Sequence, residues 1–155
     1  MPDAQAGHEK TITAMMAALA GSNAIYGMGM LEMGVTFSFA QLLIDDGIAK
    51  MVHRVISGVD VTDDTLAVDV IKEVGGGQGK QFLTHQHTYD NMRSELSIGG
   101  IFDRNVRQTW EMNRGGKDVA EIANERAKEI IATHKPEPLE KSVQNELRRI
   151  VKSAE

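Results

Sequence analysis

The sequence predicts an α/β fold of the parallel-sheet or barrel kind, dominated by helices as it stands and cut off from the rest of its sheet. Three observations carry this expectation. The short apolar run NAIY, residues 23–26, leads directly into the glycine-rich stretch GMGMLEMG, residues 27–34. A well-capped helix follows, so the order helix, strand, glycine loop, helix repeats the βα rhythm of such folds. Everything else along the chain reads as helix or loop.

The elements follow in order. Asp3 caps a helix expected over residues 5–20, with Ile12, Met15, Met16 and Leu19 on one face and Gly21 as its stop. His8 falls on that same face. Residues 23–26 have the length and flanks of a buried strand. Ser38 and Gln41 have capping-box spacing and open a helix to about Ser57, burying Ile44, Ile48, Met51 and Val55. Gly47 within it costs about 1 kcal/mol relative to Ala, which points to close packing there. Thr62 caps a third helix bearing Leu66, Val70, Ile71 and Val74, with Asp63 and Asp64 suited to the helix dipole.

Residues 75–80 read as a loop, and a short helix is expected near residues 88–95. Asp103 starts another, carrying Val106 and Trp110. Gly115-Gly116 marks a boundary between residues 1–115 and 116–155. Asp118 and Glu121 form a second capping box for a helix to about Thr133, with Val119, Ile122, Ile130 and Ile131 inward. Pro136 and Pro138 end it, and a last helix aligns Leu139, Val143, Leu147 and Ile150.

One strand does not make a sheet. A buried strand leaves its N–H and C=O groups unpaired unless neighbours supply partners, at about 1–3 kcal/mol for each orphan. Either residues 23–26 are a loop in an all-helical protein, or the pairing strands lie on other polypeptide. The βα order favours the second, so the chain is expected to be a piece of a longer protein.

Composition narrows the function. At 155 residues and 41% hydrophobic, the chain can bury one core, and its net charge of −5 without a long basic run argues against nucleic acid. No run approaches the roughly 20 apolar residues of a membrane helix, and MPDAQAGHEK lacks the features of a signal peptide. The absence of cysteine excludes disulfides and thiolate metal sites and fits a cytoplasmic location.

PDAQAGHEK, NAIYGMGMLEMGVTFSFAQLLIDDGIAKMV, DVIKEVG, FLTHQHT and HKPEPLEK together resemble the C-terminal part of the trimethylamine:corrinoid methyltransferase family. The resemblance implies a TIM barrel that moves a methyl group from a methylated amine to the Co(I) of a separate corrinoid protein, as in methanogenesis from methylamines. It makes the chain the last βα units of that barrel, residues 1–115, with a helical extension over 116–155. It also implies a pyrrolysine upstream of PDAQAG in the methanogen branch, no cofactor bound by these residues themselves, and a homo-oligomeric full-length protein. Glycine betaine-type relatives share the C-terminal pattern. The competing class is a non-catalytic helical module that binds protein through its Met-rich and charged faces.

Chemistry in a barrel gathers at the C-terminal ends of the strands, where residues 27–34 would sit. Glu32 is the lone acid in that run. A carboxylate there can protonate the departing amine or act as counterion to an ammonium. Tyr26 can add cation–π contact, Met30 an apolar wall, and Gln5 and His8 polar groups from the preceding helix. His85-Gln86-His87 has a strand-like metal-ligand spacing but no evident third ligand, so a turn-forming or pocket-edge role is expected, with no metal. Residues 75–80 fail as a P-loop, because three residues separate Gly75 from Gly79 and Gln81 follows Lys80.

Overall fold

A computed structural model describes residues 1–75, 79–96 and 100–154. Residues 76–78 of the loop expected at 75–80, and residues 97–99 after the short helix expected near 88–95, therefore lie outside the described residues. Three helices form the body: α1 (Ala4–Leu19), α2 (Phe39–Ile56) and α7 (Val119–Thr133). Between α1 and α2 lies a minimal hairpin, β1 (Met30–Leu31) antiparallel to β2 (Thr36–Phe37), with Met30 opposite Phe37 and Leu31 opposite Thr36. The smaller helices are α3 (Asp63–Leu66), α4 (Val68–Gly75), α5 (Gln86–Asn91) and α6 (Arg107–Arg114), and α8 (Lys141–Ala154) closes the chain. No described helix is long and apolar enough to cross a membrane.

The helix-dominated character expected from the sequence is found. The buried strand is not. Residues 23–26 run through irregular backbone on the surface, with Tyr26 89% exposed. The described residues place no strand beside them, and a strand without a ladder has no reason to be regular or buried.

Helix α2 is the centre of the core. Its Ala40, Ile44, Ile48 and Val52 cluster with Ala123 of α7, and Ala14, Met15 and Ala18 of α1 pack against them. This spacing differs from the expected stripe, since Met51 and Val55 face outward and Val52 is inward. The reason is that α2 is covered from two sides, so Gln41 and Asp45 share its buried face. On α7 the buried residues are Ala123 and Ala127 rather than Ile130 and Ile131, which are exposed. Small side chains let α2 and α7 approach closely. Likewise α1 turns Ala14 and Ala18 inward and leaves Ile12, Met16 and Leu19 on the surface.

The caps behave largely as read. Asp3 Oδ1 accepts from Ala6 N–H at 2.9 Å, and Asp118 and Glu121 make a complete capping box. At α2 the box is half made: Ser38 Oγ accepts from Gln41 N–H, but Ser38 N–H donates to Gly29 O and the Gln41 amide turns inward. The third helix is interrupted at Ala67, whose φ of 48° lies in the left-handed region and splits it into α3 and α4. Asp103 starts no helix. Its Oδ1 accepts from Asn105 N–H at 2.7 Å in a local turn, and α6 begins at Arg107. That backbone bond, aided by Arg114, holds the Asp103 carboxyl below its usual range.

Gly47 meets its expectation of close packing. A Cβ there would lie 2.7 Å from the Phe102 ring and 2.8 Å from Ile101 Cγ2. Gly47→Ala gains about 1 kcal/mol of helix propensity and loses about 1–3 kcal/mol to overpacking. The expected net is a destabilisation of about 1 kcal/mol, read as a lower midpoint in denaturant with unchanged slope.

Candidate functional site

The glycine run forms a compact loop that only unusual backbone permits. Gly29 is buried with φ 77°, and Glu32, Met33 and Gly34 follow at φ 50°, 55° and 90°. Two successive non-glycine residues in the left-handed region cost about 1–2 kcal/mol each. Such strain collects where the surrounding structure holds a side chain for a purpose. The side chain it presents is Glu32, solvent-exposed, with Oε2 accepting from Thr36 Oγ1 at 2.5 Å.

A cleft of about 290 Å³ opens beside it, walled by Gln5, Lys10, Met30 and Glu32 among others. Three of the residues singled out in the sequence thus meet in one place. Gln5 Nε2 donates to Glu9 Oε1 at 2.9 Å on the same helix. Tyr26 lines a different cleft, of about 540 Å³, between α1 and α2. His8 is exposed on α1 and is not among the residues that wall the Glu32 cleft.

His85 and His87 sit at the start of α5. His85 is its N-cap, Nδ1 accepting from His87 N–H at 3.1 Å. His85 Nε2 lies 3.5 Å from Glu73 Oε2, while His87 Nε2 lies 2.9 Å from Asp64 O. Lys80 first, and His85 second, hold the Glu73 carboxyl below its ordinary range. The two histidines tie α5 to α3 and α4.

Sequence reasoning missed the polar group under the loop. Asp45, only 6% exposed, accepts through Oδ2 from Lys10 Nζ and from Gly29 N–H, both at 2.7 Å. Its Oδ1 accepts from Gln41 Nε2 at 2.7 Å, and Lys10 Nζ also donates to Gly27 O at 3.1 Å. The signal was present: Gln41 and Asp45 fall at i and i+4 on the face that carries Ile44, Ile48 and Val52. A carboxylate on a buried face needs a partner. The identity of that partner, 35 residues earlier on another helix, has no local trace.

The model of the family described as trimethylamine methyltransferase (MTTB) matches residues 1–155, the entire chain. The chain belongs to the MTTB family. It is similar to trimethylamine methyltransferase MttB of Desulfitobacterium hafniense, 46% identical over 155 residues, covering all of this chain and 30% of that protein. It is 42% identical to MttB2 of Methanosarcina mazei over 158 aligned residues, again all of this chain and 30% of the relative. A glycine betaine methyltransferase of Desulfitobacterium hafniense is 31% identical over 150 residues, covering 96% of this chain and 30% of that protein. The chain therefore spans about 30% of the length of the curated relatives it matches.

Proposed function

We propose that this chain forms the C-terminal portion of a methyltransferase that moves a methyl group from trimethylamine to the Co(I) of a separate corrinoid protein. The observation that carries the reading is the family match along all 155 residues, together with relatives at 46% and 42% identity named for trimethylamine. The partners are then the corrinoid protein and a small methylated amine, and the full protein assembles as a homo-oligomer. The pyrrolysine of the methanogen branch and the corrinoid both lie outside these residues.

The barrel belongs to the same proposal, with residues 1–115 as its last βα units and 116–155 as a helical extension. What supports it is the chain order α1, apolar run 23–26, glycine loop, α2, which is the βα order of barrel folds, although the run itself is irregular and exposed. In the transfer the N–CH₃ bond breaks and the nitrogen keeps its electron pair. Co(I) supplies the two electrons of the new bond, and dimethylamine departs. Glu32 serves that departure in one of two ways. As an acid it gives its proton to the nitrogen, so that neutral dimethylamine leaves. As a carboxylate it is the counterion that keeps the substrate in its protonated, ammonium form before the bond breaks. Met30 and Gln5 shape the cleft around it. Tyr26, His8, His85 and His87 remain proposed contributors at the margin, dependent on polypeptide beyond these residues to reach the amine.

The second reading, a betaine or other quaternary amine substrate, has the 31%-identical relative in its favour. Full-length protein mixed with its corrinoid partner in the Co(I) state separates the two. Trimethylamine should discharge the Co(I) absorbance with dimethylamine formed in equal amount, and glycine betaine should not. Turnover with betaine alone would transfer the assignment to the second reading, and turnover with neither would remove both.

A further inference from the structure

We propose that Asp45 is a positioning residue for the Glu32 loop, an inference that rests on the role assigned to Glu32. Gln41 and Asp45 are the buried polar side chains of the described core. Asp45 reaches from α2 to the Gly29 amide, and its ion pair with Lys10 carries on to Gly27 O, so the loop is held at both of its first two glycines.

From Gly29 the path to Glu32 is short and stiff. Gly29 O accepts from Ser38 N–H at 2.8 Å, beside the ladder that pairs Met30 with Phe37 and Leu31 with Thr36. Thr36 in turn donates to Glu32. One carboxylate thus sets the start of β1, β1 sets β2, and β2 holds the acid. A buried ion pair adds little stability over an apolar replacement of equal shape, so packing alone does not call for Asp45. Directed hydrogen bonds to a backbone amide do what an apolar group cannot: they fix a loop's position and direction.

The test uses full-length protein with its corrinoid partner, comparing Asp45→Asn, Lys10→Arg, Glu32→Gln and, as control, Asp46→Asn. Asp46 is exposed and pairs with Lys50 at 2.6 Å on the same helix. Hydrogen exchange by mass spectrometry is read on peptides spanning 27–37, beside kcat and KM for trimethylamine. In Asp45→Asn the loop should exchange at least about 10-fold faster while α2 keeps its protection, because a donor-bearing amide replaces one acceptor. Misplacing the acid by about 1 Å should lower kcat about 10–100-fold with KM nearly unchanged. Lys10→Arg should move both in the same direction, which covers a failure of Asp45→Asn to fold, and Asp46→Asn should move neither. Unchanged loop exchange in both variants overturns the inference, as does a loosened loop at full kcat when Glu32→Gln is inactive. Full kcat in Glu32→Gln instead overturns the role of Glu32, and the exchange data then decide separately whether Asp45 holds the loop.

Discussion

Glu32→Gln should lower kcat for trimethylamine in the full protein by about 10²–10⁴-fold, the range general acid catalysis spans. The substitution is nearly isosteric, and the amide oxygen of Gln can still accept from Thr36 Oγ1, so the loop contact is kept. What disappears is the acidic proton of the carboxyl, or its negative charge when ionised. If Glu32 donates a proton in the transition state, the loss appears in kcat with KM close to unchanged. If it pairs with the ammonium of the bound substrate, the loss appears mainly in KM. Stability should hardly change, since the strain at φ 50° resides in the backbone and Gln inherits it. Full activity with an unchanged KM would reduce Glu32 to a turn residue. Single-turnover kinetics beside a denaturant midpoint distinguishes these results in one preparation.

Gly29→Ala should be the most damaging single-methyl change in the loop, costing about 2–5 kcal/mol. Two contributions add. The left-handed φ of 77° costs an alanine about 1–2 kcal/mol, and the added Cβ would lie 2.7 Å from the Phe37 ring and 3.2 Å from Leu42 Cβ. The half-exposed ring can swing aside. Leu42 Cβ is fixed to the α2 backbone and cannot. Gly34→Ala isolates the first contribution: its φ is 90°, and the nearest atom to an added Cβ is Met30 Sδ at an ordinary 3.7 Å. Chemical denaturation of the two variants should therefore differ by about 1–3 kcal/mol, the steric share alone. Equal losses would mean that the α2–β2 corner relaxes freely, contrary to the packing described.

Much of the local architecture was legible in the residues. Caps at Asp3, Thr62 and Asp118, the end of α2 near Ser57 and the close approach at Gly47 all depend on side chains within a few positions, or on the size of one side chain. The glycine run was legible as a special loop because three glycines and a lone acid are a local pattern. Gln5, Met30 and Glu32 could each be singled out by residue type, but their meeting in one cleft was decided by how α1 and the loop pack.

Less was legible where two distant elements negotiate. Apolar residues at helical spacing announce that a face exists, but not which of two overlapping faces is covered. On α1, α2 and α7 the alanines and Val52 won over Ile12, Met51, Val55 and Ile131, because close approach of helix to helix is decided by the neighbour. Residues 23–26 have the composition of a strand, yet a strand is a property of a pair, and composition cannot provide the partner. Asp45 is the sharpest case. Its i, i+4 relation to Gln41 could be read from spacing, whereas its burial and its hold on Lys10 and Gly29 exist only once α1, the loop and α2 are brought together, since hydrogen bonds act over about 3 Å of space irrespective of distance along the chain.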